Sequence, residues 1–103
     1  MGRLLYNAGE TAFEMDDRVL AHLRVVFMNK LRRNEPFMFH LPDANVGTRS
    51  LWINAAVPIT FAFSGGRQPA IDGRWIDALM HEASGPNGLD YEAAPSYDSA
   101  PRT

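Results

Sequence analysis

The chain has 103 residues, of which 46% are hydrophobic and 21% charged, so it has room for one domain and no more, and it is not disordered throughout. Folding at this size withdraws roughly 65% of the extended chain's surface from water, which gives a real but thin core. A net charge of −2 excludes holding nucleic acid by bulk charge, and the absence of cysteine excludes disulfides, thiol catalysis and cysteine-ligated zinc.

The opening Met1-Gly2-Arg3-Leu4-Leu5-Tyr6 lacks the apolar stretch of a secretory signal, and no apolar run approaches the ~18 residues of a membrane span. A cytoplasmic address, with no membrane partner, is the expectation. Residues 3–6 and 11–15 read as two strands around the turn-forming Asn7-Ala8-Gly9-Glu10. Asp16 then caps a helix over residues 17–33, uninterrupted by glycine or proline. On a helical wheel Val19, Leu20, Leu23, Val26, Phe27 and Leu31 fall in an arc of about 140°. Lys30 intrudes there, with its ammonium expected to reach water. The opposite side carries Arg18, His22, Asn29, Arg32 and Arg33. Between the two faces lie Ala21, Val25 and Met28, and three apolar residues there are more than a solvated flank needs. Either this domain or another chain must cover them.

Pro36 ends the helix region, and Phe37 to Leu41 alternates as a strand with Met38 and His40 facing away from Phe37, Phe39 and Leu41. Residues 42–47 read as a polar turn, and residues 51–54 and 59–63 as two strands with Leu51, Ile53, Ile59, Phe61 and Phe63 inward. Trp52 and Met38, with Leu5, fall on the other face. Ser64 to Pro69 is a loop, Asp72 caps a second helix over residues 73–84, and Asn87-Gly88 turns the chain into a short strand at 89–92. The expected organisation is a single α+β domain over residues 1–92 and a flexible tail over 93–103. The order ββαβββαβ favours two layers, a mainly antiparallel sheet with two helices on one side.

The reactive residues do not assemble into a recognisable centre. No histidine among His22, His40 and His81 has another at a metal-chelating spacing, and Asp16-Asp17 and Asp72 suit helix caps. Ala62-Phe63-Ser64-Gly65-Gly66 lacks the first glycine of a nucleophile elbow. That loop reads as a glycine turn, or as a phosphate cradle assisted by Arg67 without the ending of a P-loop. An enzyme would need His22 and His40 to meet across a cleft. No catalytic, metal or cofactor site is expected.

Several stretches resemble a family of small actinobacterial and phage proteins of unknown function. The residues that carry the resemblance are Met1 to Tyr6, Asp17 to Leu23, Lys30 to Phe37, Leu51-Trp52-Ile53, Val57-Pro58-Ile59 with Phe61 and Phe63, and Arg74 to Leu79. Members of that family are often described as ATP-dependent DNA ligases. Ligase adenylation requires the lysine of Lys-x-Asp-Gly. The only lysine here, Lys30, precedes Leu31-Arg32-Arg33, and Asp72-Gly73 has Ala70 in the lysine's place.

Two functions from different classes follow. The first is a non-catalytic interaction domain, self-associating as a homodimer or contacting another protein through Val25, Met28, Met38 and Trp52. The second is an accessory nucleic-acid binder that presents Arg18, His22, Arg32 and Arg33 to phosphates.

Overall fold

Alternation decides the first hairpin. Strands β1 (Gly2–Tyr6) and β2 (Thr11–Met15) pair antiparallel with Leu4 opposite Phe13, and they bury Leu4 and Met15 while Arg3 and Glu14 face water. The structure, a computed structural model, describes residues 1–98. Helix α1 (Asp17–Arg32) starts where the Asp16 carboxylate accepts the Arg18 N–H at 3.1 Å. It stops because Asn34 takes a left-handed conformation (φ 55°), which lets the Glu35 N–H reach the Lys30 carbonyl at 2.9 Å and the Asn34 N–H reach Leu31 at 3.0 Å. This paired closure satisfies carbonyls that the helix end leaves open.

Strands β3 (Phe37–Asp43) and β4 (Gly47–Ile53) form a longer hairpin than alternation alone indicates. The turn narrows to residues 44–46 and is closed by Gly47 at φ 89°, so the ladder already includes Thr48, Arg49 and Ser50. Pro42 is tolerated within β3 because β6 pairs with that strand only at Phe39 and His40, leaving it one-sided further on. Strand β5 (Ile59–Ala62) pairs with β1, α2 (Gly73–Ala83) is capped by Asp72, and β6 (Leu89–Asp90) runs parallel to β3.

The fold is α+β with the expected element order. Its strands divide into two three-stranded sheets, β2-β1-β5 and β4-β3-β6, mostly antiparallel. Helix α1 joins them. Phe27 meets Phe37 and Phe39 of one sheet and Phe61 of the other edge-on, at ring-centroid separations of 5.1, 5.2 and 5.5 Å. Such edge contacts add about 0.5–1.5 kcal/mol each to the burial of the rings.

The chain beyond Ala93, expected to be a mobile tail, continues as a packed short 3-10 turn, Ala94–Tyr97. Ala94 is fully buried, and its carbonyl accepts the indole N–H of Trp75 at 2.7 Å, the acceptor that a buried indole needs. Tyr97 donates to the Glu82 carboxylate at 2.8 Å. Residues 99–103, the remainder of the expected tail, lie outside the described residues.

Candidate interaction surface

Met38 and Trp52 sit directly opposite each other across β3 and β4, on the face of that sheet turned away from Phe37, Phe39, Leu51 and Ile53. Four inward residues are buried while Trp52 stays 51% exposed, so one face of the hairpin builds the core and the other presents an indole to water. The pair lines an open groove with Pro36, Ala83, Pro86 and Gly88. Gly88 brings the 85–88 segment down onto β3: a Cβ there would stand 2.5 Å from the Met38 carbonyl oxygen.

The helix flank resolves in two directions. Ala21 is fully buried and Val25 half-buried, so the protein's own elements take part of the surplus. Met28 remains 48% exposed at the lip of a second groove of about 450 Å³, lined by Phe27, Leu31, Val57, Ile59 and Phe61. The two grooves adjoin the same end of α1, with Lys30 lining one and Leu31 the other. They also share the segment 52–57, Trp52 in one and Val57 in the other.

The basic stripe does not persist as a patch. Arg18 forms a two-pronged pair with Asp98, both bonds 3.0 Å, and donates to the Ala70 carbonyl at 3.0 Å. His22 is not on a polar face: it is fully buried, stacked on Trp75 with ring centroids 3.9 Å apart. Its Nε2 accepts the Asp72 N–H at 2.9 Å, so the proton resides on Nδ1, which donates to the Arg18 carbonyl at 2.7 Å. Burial pulls the His22 pKa below its ordinary 6.5, against the opposing effect of the Arg18 carbonyl. Arg32 and Arg33 are exposed at the far end of α1, where Arg32 lies roughly 21 Å along the helix axis from Arg18. Lys30 also departs from expectation. Its ammonium is buried and donates to Ser84 Oγ at 2.9 Å and Glu35 at 3.4 Å rather than to water.

Asp17 and His40 are engaged locally, whereas His81 is exposed on α2. The N–H groups of Gly65 and Ser64 point at the Asp17 carboxylate, at 3.0 and 3.4 Å, so in place of a cradled phosphate the loop holds an internal anion. The Gly65 bond, more than the others, keeps the Asp17 carboxyl below the usual carboxylate value of 3.8. His40 lies on the outer face of β3, its Nε2 donating to the Asn87 carbonyl and its Nδ1 accepting from Ser50, both at 2.6 Å. It has no partner in common with His22. Among the described residues no group of three or more His, Asp or Glu could hold a metal ion, and no helix is long and apolar enough to cross a membrane.

Sequence reasoning missed Asp98, Ala94 and Asn87 as partners. Only Ala94 had a signal, the indole of Trp75 that had to be satisfied somewhere.

The architecture defines a small α+β domain. Residues 1–94 match the family described as Domain of unknown function (DUF7882), and the chain belongs to that family. No curated protein and no solved structure matches the chain. A ligase reading has no support, and the only lysine is sequestered between Ser84 and Glu35.

Proposed function

We propose that this chain is a non-catalytic interaction domain of the cytoplasm that works by protein–protein contact and self-associates through the Met38–Trp52 face. The observation that carries the reading is Trp52, half exposed on a sheet whose opposite face is fully used by the core. An exposed indole beside a methionine is the composition of contact surfaces, the indole supplying large rigid apolar area and the thioether adapting to the surface it meets. Two of the titratable side chains, His22 and Asp17, serve the fold by holding neighbouring segments in place.

Tryptophan fluorescence tests this directly, because the chain has two tryptophans and Trp75 is buried in the monomer. Between about 1 μM and several hundred μM protein, acrylamide quenching of the exposed component should fall and emission should shift to the blue as Trp52 is covered. Quenching that stays constant over this range overturns the self-association.

A further inference from the structure

We infer that the groove between α1 and β5 receives an acidic amphipathic segment of another protein. The inference rests on the contact reading above and names the chemistry of a partner for the helix side of the surface. The floor of the groove is apolar, formed by Phe27, Leu31, Val57, Ile59 and Phe61, with Met28 half exposed at its lip.

Arg24 is the charged residue that lines the groove, and Arg32 continues its row on α1. Arg24, Met28 and Arg32 recur every four residues and so form one row along α1. The Arg24 guanidinium lies over the Phe63 ring, 4.7 Å from its centroid, and its hydrogen bond goes to the neutral amide of Gln68 at 3.4 Å. Among the described residues neither Arg24 nor Arg32 has a carboxylate within ion-pair distance. Neither wall supplies an acid: there is no Asp or Glu between Arg18 and Asn34, and none between Asn54 and Ile71.

An apolar floor calls for apolar anchors, and an unpaired arginine row calls for carboxylates beside them. A helix with Leu, Ile or Phe on one stripe and Glu or Asp flanking it supplies both. A second copy does not supply the carboxylates, because a two-fold contact through this groove sets one arginine row against the other. A nucleic acid would meet the arginines but leave Met28, Leu31 and Phe61 against sugar and phosphate.

The test is fluorescence anisotropy with a panel of labelled peptides of about 15 residues, with Leu, Ile or Phe anchors at i, i+4 and i+7 and Glu on the flanks. They are titrated with the full chain and with its Trp52→Lys variant. Saturable binding is expected to the same extent by both proteins, which separates this inference from self-association through Trp52. Affinity should fall about tenfold or more in Met28→Glu and in Arg24→Glu/Arg32→Glu, and should weaken as salt rises. Arg32→Glu alone, at an exposed position, serves if the double variant does not fold by circular dichroism. The inference is overturned if no peptide of the panel binds saturably or if binding is unchanged in the folded variants. It is equally overturned if peptides with Lys for Glu, or a short DNA duplex, bind more tightly.

Discussion

The imidazole of His22 lies face to face with the indole of Trp75, 27° from parallel, and the Arg18 guanidinium approaches the same indole at 5.4 Å. One aromatic ring of α2 is thus enclosed by two residues one turn apart on α1, and both are tied further, His22 to Asp72 and Arg18 to Asp98. This joint sets the position of α2, and its chemistry has a pH signature.

Burial holds His22 neutral in the folded protein and lowers its pKa below 6.5, whereas the unfolded chain titrates near 6.5. Between those values the unfolded state binds the proton and the native state does not, so stability rises with pH. The contribution is complete above about 6.5 and is lost as pH falls from there toward the depressed value. Urea midpoints between pH 8 and pH 5 should therefore fall in the native chain, and His22→Gln should flatten that part of the slope.

Trp75→Phe keeps most of the ring's volume but removes the donor to the Ala94 carbonyl, which lies in a fully buried residue. A buried acceptor left without a partner costs about 1–3 kcal/mol. Urea denaturation should report a loss of that size. Limited proteolysis should cut the Ala94–Tyr97 turn faster than in the native chain, as Ala94 anchors that segment to α2.

Asp17→Asn replaces a carboxylate that receives the Gly65 and Ser64 N–H groups with a weaker, neutral acceptor. The Gly65 and Ser64 amides should exchange hydrogen faster, measured by NMR at neutral pH. In the native chain the same protection should persist above pH 3.8 and be lost as pH falls through the lowered carboxyl value.

Gly88 combines a left-handed φ of 78° with a backbone approach that leaves no room for a Cβ beside Met38. Gly88→Ala should destabilise by about 2 kcal/mol or more, from conformational strain and displacement of the 85–88 segment together. Gly66→Ala, where a Cβ would meet nothing, provides the control. Thermal melts of the two variants should separate accordingly.

Local pattern made the elements and the exposed pair legible. Alternation through β3 and β4 put Met38 and Trp52 on one outer face because the period of a strand is two, and Asp16 and Asp72 announced both helix starts. The polar side of α1 was misjudged for a physical reason. A helical wheel gives the angle of His22 and Arg18 but not the direction from which a second helix arrives, and here α2 covers that sector. Their partners are distant in sequence: His22 meets Asp72 across 50 positions and Arg18 meets Asp98 across 80. Nothing local encodes such pairs. Met28 and Val25 began as equals by periodicity and diverged because the fold covers more of Val25 than of Met28.

Sedimentation velocity of the full chain over a concentration series bears most directly on whether contact through the Trp52 face is its work. The sedimentation coefficient should climb from the monomer toward the dimer value with increasing concentration. Trp52→Lys should stay monomeric and lose about 1 kcal/mol or less by urea denaturation, the size of the cross-strand contact with Met38 that it gives up. A native chain that sediments as a monomer at every concentration, or a Trp52→Lys variant that associates as the native chain does, would contradict the account.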